Sequence, residues 1–237
     1  MISKEEEIFL LNLKANIDYE IVCLDIGANK GFYSSSLLDI IGDKIHKLYC
    51  FEPVPENFKI CIDKFGDNKK VDLFMNACSN IKNRSKFFQV ISDNENKNKI
   101  GLEGLSSLNN RAVFNELNVR EIEVDCVVLN DVLNIEINRK IFTKIDVEGY
   151  ELEVLEGMSS FFESEQILAI QFEYGNCMLE RNKDLNDIQK LLSIYPKYHI
   201  CDFNELNNKL IPITEDNIHQ YINSPWSILY ITKKSYV

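Results

Sequence analysis

The chain has 237 residues, 45% of them hydrophobic and 27% charged, a profile that excludes a disordered chain and needs neither disulfides nor a structural metal to fold. Its 37 acidic and 26 basic residues give a formal net charge of −11. That balance argues against nucleic acid and anionic membrane as partners, because both are bound through Lys and Arg.

The N-terminus, Met1-Ile-Ser-Lys-Glu-Glu-Glu-Ile-Phe-Leu-Leu, puts acids where a signal peptide has positive charge. No apolar run approaches the roughly 18 residues of a membrane span, so no stable membrane insertion is expected. The seven Cys are odd in number and form no C-x-x-C pair. Cys23, Cys50 and Cys126 sit inside apolar runs, as buried thiols do. A reducing, cytoplasmic setting is therefore expected, without zinc.

In chain order, residues 3–16 predict an amphipathic helix with Ser3 as N-cap and acids in its first turn. Residues 20–26 read as a buried strand that ends in Gly-Ala-Asn-Lys-Gly, with a helix from Gly31 to Ile41. A second strand spans 47–52, a helix opened by Pro55 spans 55–65, and a third strand falls at 70–75. Strand and helix alternating in this way predict βαβαβ, hence a parallel sheet with right-handed crossovers, doubly wound by helices on both faces. Residues 79–140 break the rhythm and are read as a β-rich insertion capping the sheet's C-terminal edge. It contains a β-like stretch at Ser85–Ile91, a polar loop at Asp93–Lys99 and an alternating strand at 121–128. Regularity returns with a strand at Ile141–Asp146, a helix from Tyr150 to Phe162, a strand at Gln166–Glu173 and a helix at Leu185–Tyr195. Tyr198–Phe203 and Ser227–Thr232 predict a closing antiparallel pair. The whole chain, 1–237, is read as one domain: an N-terminal helix (1–18), the sheet, the insertion, and C-terminal elements on the substrate side (176–237).

Ligands of open parallel sheets bind beyond the carboxyl ends of the strands. The polar residues expected there are Asp25 to Gly31, Glu52, Asn76 to Ser79, Asp146 to Glu148, and Glu173. Acids gathered at one edge are costly unless they serve a ligand. The dinucleotide fingerprint G-x-G-x-x-G is absent, with Asn29 and Phe32 at its second and third glycine positions, and no phosphate loop of the G-x-x-x-x-G-K-[ST] form is present. Glu52 nevertheless ends the second strand, where a carboxylate takes both ribose hydroxyls. Together these point to an adenosine ligand without phosphates. S-adenosylmethionine is the common one, and its cationic groups suit an acidic pocket.

Five blocks in order resemble FkbM-type methyltransferases: Asp25-Ile-Gly-Ala-Asn-Lys-Gly-Phe-Tyr-Ser, Phe51-Glu-Pro-Val-Pro, Asn76-Ala-Cys-Ser, Gly104-Leu-Ser-Ser-Leu, and Lys144-Ile-Asp-Val-Glu-Gly-Tyr-Glu-Leu-Glu-Val-Leu-Glu-Gly. The resemblance runs from about residue 20 to about 175. It implies a mostly parallel, seven-stranded class I methyltransferase fold, Rossmann-like, and S-adenosylmethionine-dependent O-methylation, with sugars or polyketide-like hydroxy compounds as acceptors. Carried over, Asp25, Gly27, Asn29 and Gly31 line the methionine part of the cofactor, Glu52 holds the ribose, Asn76 and Ala77 lie beside adenine, and Ser106 and Ser107 close over it. Where the family has a Thr-Leu-Asp-Asp pattern this chain has Val128-Leu129-Asn130-Asp131, which removes the first acid.

An acceptor hydroxyl must lose its proton during methyl transfer, so a general base is expected within hydrogen-bond reach. Asp146 is the first candidate. Glu148 follows it, with complementarity to a helix N-terminus as the plainer reading. Lys144 shares a strand face with Asp146, to orient the acceptor or simply to pair with an acid. Glu173 with Asp146 would suit Mg²⁺, but two carboxylates are few for a metal, and metal dependence is not expected. His199 is a candidate base from the far side, with a satisfied strand histidine as the plainer reading, and Tyr174 and Trp226 are candidates to stack on a sugar, with core packing as theirs. The expected acceptor is a saccharide, free, nucleotide-activated or in a surface polysaccharide, and self-association stays open. A dinucleotide-dependent oxidoreductase and a non-catalytic binding module are the alternatives.

Overall fold

The computed structural model describes residues 2–91 and 102–236; the loop expected at Asp93–Lys99 lies outside them. The first helix, α1 (Lys4–Asn16), begins with a capping box. The Ser3 hydroxyl accepts the Glu6 N–H at 3.2 Å, and the Glu6 carboxylate accepts the Ser3 N–H at 2.7 Å, satisfying two donors that a bare helix start leaves open. Strand β1 (Ile21–Ile26) is buried at every residue, as a central parallel strand covered on both faces must be. Then come α2 (Phe32–Ile41), β2 (Ile45–Phe51), α3 (Pro55–Phe65) and β3 (Val71–Phe74).

The chain now leaves the main sheet. Strands β4 (Ala77–Cys78), β5 (Asn83–Val90) and β6 (Val119–Val127) form a second, three-stranded sheet in the order β4-β6-β5. A short α4 (Leu129–Val132) leads back to β7 (Ile141–Ile145). After it come α5 (Glu151–Glu156), α6 (Ser159–Glu163), β8 (Ile167–Gly175), α7 (Asn176–Leu179), α8 (Leu185–Leu192), β9 (Tyr198–Asn204), β10 (Lys209–Pro212) and β11 (Trp226–Lys233).

The main sheet has eight strands in the order β10-β9-β11-β8-β7-β1-β2-β3. Neighbours from β3 to β8 are parallel, and those from β8 to β10 are antiparallel. The expected closing pair is present as β9 and β11, but the sheet is mixed and one strand larger than the seven expected. The extra strand arises because β9 turns back through Asn208, which takes a left-handed φ of 55°, and Lys209–Pro212 pairs along its outer edge. Pro212 is tolerated there because an edge strand need not donate on its outer side.

Side chains alternate across the strands. Leu24, Ile26, Ile145 and Phe172 pack with α5, α6 and α8 on one face, while Cys23, Cys50 and Phe142 pack with α1, α2 and α3 on the other. The helix expected over Tyr150–Phe162 is two helices. Gly157 ends the first, and a Cβ there would lie 2.5 Å from the Ser79 carbonyl oxygen. The end of β4 thus crosses where a longer helix would carry a side chain. All seven cysteines are free, six of them buried. No helix among the described residues is long and apolar enough to cross a membrane.

Candidate functional site

From β1 the sheet grows toward β2 and β3 on one side and, through β7, toward β8 on the other. Order reverses between β1 and β7, and an open α/β sheet forms its ligand crevice at that point. The Asp146 N–H donates to the Ile26 carbonyl at 3.0 Å, and the N–H groups of Gly27 and Ala28 both donate to the Phe51 carbonyl, at 3.0 and 2.9 Å. Gly27 has φ +79°, and a Cβ on it would fall 1.9 Å from the Asp146 carbonyl oxygen. Only glycine fits this close approach.

A cleft of about 50 Å³ opens over these strand ends. Gly27, Asn29, Asp146 and Val147 line one part; Glu52, Asn57, Asn76 and Ala77 line the next. Phe51, Val54, Phe87 and Leu108 supply apolar walls, and Gly104 and Ser106 approach from the segment between β5 and β6.

Glu52 is the buried polar centre of this cleft. Its Oε2 accepts the Asn29 N–H at 2.7 Å; its Oε1 accepts the Val54 N–H at 2.9 Å and the Asn57 amide at 3.4 Å. Burial outweighs these bonds and pushes its pKa up to about 7. The Asn29 Oδ1 is buried and has no hydrogen-bond partner. A ribose offers hydroxyl donors that Glu52 accepts, and an ammonium offers donors for Asn29 Oδ1. The apolar walls suit a base, so the groups that line the cleft match the chemistry of S-adenosylmethionine.

Beside the cleft, at the ends of β7 and β8, carboxylate oxygens of Asp146, Glu148 and Glu173 lie within 4.8 Å of one another. Asp146 is 37% exposed and takes the Lys144 ammonium at 3.1 Å. Glu173 hydrogen-bonds to Asp146, and burial together with the charges of Asp146 and Glu148 drives its pKa well up. Glu148 sits at a left-handed φ of 55°, strained backbone of the kind that clusters at functional sites. Its Oε2 accepts from Arg111 at 2.5 Å and from the Cys177 thiol at 2.9 Å, and its carbonyl accepts the Ser107 hydroxyl at 2.7 Å. Behind it, Glu151 accepts the N–H groups of Val147 and Gly149, and burial lifts its pKa to about 8.

Of the residues singled out from sequence, Gly27, Asn29, Glu52, Asn76, Ala77, Ser106 and Asp146 line the cleft. Asp25, Gly31, Ser107, Lys144, Glu148 and Glu173 are not part of that lining. Asp25 is fully buried and accepts the Ser34 hydroxyl at 2.5 Å. The ring of Phe65 fills the space beside Gly31. The Lys144 ammonium is held by Asp25, Asp146 and the Gly27 carbonyl. Burial lowers its pKa, but these two acids overcome that and raise it. The ion-pair reading of Lys144 is therefore the one its geometry supports. Tyr174 is a core residue, the plainer of its two readings, with no exposed surface and its hydroxyl on the Ile222 carbonyl. His199 likewise takes its plainer reading as a strand residue: it pairs with Thr232, which pairs with Ala169 near the start of β8, roughly 13 Å along the strand from Glu173. Asn130, the departure from the family pattern, bonds to the hydroxyls of Ser159 and Ser160 at the start of α6. Asn57, Phe87 and Arg111 were not foreseen, because their roles depend on contacts distant in sequence.

The three-carboxylate group does not fit a Mg²⁺ site. Glu148 is engaged by Arg111 and Cys177, and Asp146 by Lys144 and Glu173, whereas Mg²⁺ demands near-ideal octahedral oxygen geometry.

No curated protein matches the chain. Among solved structures it is similar to a methyltransferase FkbM from Methylobacillus flagellatus KT, with a TM-score of 0.54 and 14% identity over 92% of this chain and 45% of that one. The chain thus spans less than half the length of that protein, and the likeness is one of fold, that of a class I methyltransferase. A weaker likeness is to an rRNA methylase from Streptococcus thermophilus, with a TM-score of 0.46 and 12% identity over 98% of each chain. Residues 25–204 match the Methyltransferase FkbM domain, a span that holds both the cleft and the acidic group, and the chain belongs to the FkbM family of S-adenosylmethionine-dependent methyltransferases.

Proposed function

We propose that this protein transfers a methyl group from S-adenosylmethionine to a hydroxyl of a saccharide. The observation that carries the reading is Asp146: a partly exposed carboxylate that lines the cofactor cleft on one side and meets Glu173 on the other. Glu52 holds the ribose, the slot between Ala77 and Phe87 takes the base, and Gly27 and Asn29 meet the amino-acid end. Bound there, S-adenosylmethionine supplies an electrophilic methyl carbon on a positively charged sulfur.

Asp146 accepts the proton of the acceptor hydroxyl as the O–C bond forms and the S–C bond breaks. Lys144 keeps the Asp146 carboxylate aimed, since its own hydrogen bonds fix it to the Gly27 carbonyl on the cofactor side. Holding the acceptor oxygen in line with the methyl carbon is the larger contribution, and a base adds roughly 10²–10⁴-fold. The net charge of −11 weighs against a nucleic-acid acceptor. No step is routed through a metal.

The test is transfer of label from S-adenosylmethionine to a panel of sugars, sugar nucleotides and polysaccharides. Label in an alkali-stable ether on a sugar supports the proposal. Cofactor binding without transfer to any hydroxyl favours the non-catalytic reading.

A further inference from the structure

Trp226 is the chain's single tryptophan, and 56% of it is exposed. It opens β11 opposite Gly175 of β8, and Ile228 stands opposite Glu173. Residues opposite one another share a sheet face, and that face recurs every second residue. Trp226 therefore shares the face of Glu173. Lys144 pairs with Gln171 on one side and Asp25 on the other, which places Asp146 on this face too. The row at the sheet's edge runs from the cofactor cleft through Asp146 and Glu173 to Ile228, and Trp226 stands two residues beyond Ile228 on the same face. From β7 to β11 is two strand spacings, ~10 Å, and the two-residue offset along β11 adds ~7 Å at right angles, so Asp146 and the indole are ~12 Å apart at the backbone, room for one six-membered ring.

The backbone under the indole is fixed. Pro225 accepts the Asn176 N–H at 3.1 Å, and the Ser224 hydroxyl donates to the Trp226 carbonyl at 2.9 Å. Gly175 allows this approach, since a Cβ there would lie 2.3 Å from the Pro225 carbonyl oxygen. Tyr230, on the same face of β11, is fully buried and stacked on Phe9 at 4.2 Å. Trp226 lies beyond that cover.

Charge narrows the ligand. Lys144 and Arg111 are paired with Asp25, Asp146 and Glu148, so neither is left to hold an anion, and the partly exposed Asp146 carboxylate repels one. We propose that Trp226 is the platform for the acceptor, and that the acceptor presents a neutral pyranose ring there. Its C–H face stacks on the indole and a ring hydroxyl turns toward Asp146. This rests on the methyltransferase reading above.

Because the protein has one tryptophan, emission excited to the red of tyrosine absorption reports Trp226 alone. The experiment titrates wild-type protein, saturated with S-adenosylhomocysteine, with a panel of methyl hexopyranosides and with the matching sugar phosphates and uronates. The expected result is a saturable change of emission with a neutral pyranoside and none with its anionic counterparts. Trp226→Ala should raise the acceptor KM about tenfold or more with S-adenosylhomocysteine affinity unchanged, and Trp226→Phe should fall between. Emission indifferent to every pyranoside while S-adenosylhomocysteine binds overturns the proposal alone, as does an unchanged KM in Trp226→Ala. An equal response to the anionic sugars overturns the neutral acceptor. Failure to bind S-adenosylhomocysteine at all overturns the methyltransferase reading itself.

Discussion

Glu52 Oε2 accepts the backbone N–H of Asn29 at 2.7 Å, so the carboxylate at the end of β2 holds the glycine-rich loop after β1. One side chain shapes the cofactor loop and presents its remaining lone pairs to the cleft. Glu52→Ala should weaken S-adenosylhomocysteine binding by about 1–3 kcal/mol, read by calorimetry. Unchanged affinity would remove Glu52 from the ribose site.

The same carboxylate predicts a pH dependence. Its pKa is raised from 4.5 to about 7 by burial, and ribose hydroxyls donate to the ionised form. Cofactor affinity should fall about tenfold per pH unit below about pH 7 and level off above it. Glu52→Gln should flatten that profile. The sign for folding is opposite: the unfolded chain gives up this proton first, so Glu52's contribution to stability falls as pH rises from 4.5 toward about 7. Urea midpoints of wild type and Glu52→Gln across that range measure it.

Asp146→Asn keeps a side chain of the same size at the end of β7 but cannot take a proton. Turnover should drop roughly 10²–10⁴-fold while S-adenosylhomocysteine affinity changes little. Full activity would move the base elsewhere, with Glu148 and Glu173 next.

Arg111 and Glu148 form a buried pair at 2.5 Å that ties the segment after β5 to the turn after β7. Arg111→Met leaves the Glu148 carboxylate uncompensated and should cost about 3–5 kcal/mol. Adding Glu148→Gln should recover part of that loss. Strict additivity of the two changes in denaturant titrations would show that the pair is not coupled.

Gly27→Ala should be the most damaging single methyl group in the cleft. The added Cβ meets the Asp146 carbonyl at 1.9 Å in a backbone of φ +79°, and the strain of the backbone alone is worth about 1–3 kcal/mol. A variant with wild-type melting temperature and cofactor affinity would contradict the close approach.

The core of this fold is legible in the sequence because its cues are local. Ser3 with Glu6 marks a helix start, mostly apolar runs mark β1, β7 and β8, and an acid follows β2 and β7 directly. Glu52 and Asp146 follow from position alone. What escapes depends on distant chain. Gly157 reads as an ordinary helix glycine until the Ser79 carbonyl arrives beside it. Lys209–Pro212 is too short to announce itself as an edge strand. Arg111 looks like a surface cation in a polar stretch, yet it is buried against Glu148, 37 residues on. Tyr174 and Trp226 both stand near the β8 edge as candidate sugar platforms; they lie on opposite faces of the sheet, and burial separates them at 0% and 56% exposure.

The central claim is that the cleft between Gly27, Glu52 and Ala77 is a site for S-adenosylmethionine. Calorimetric titration with S-adenosylhomocysteine, with NAD as the parallel ligand, tests it most directly. The account predicts micromolar binding of the first, weakened by about 1–3 kcal/mol in Glu52→Ala, and no binding of the second. Binding of NAD, or failure of S-adenosylhomocysteine to bind with or without sugars present, would contradict it.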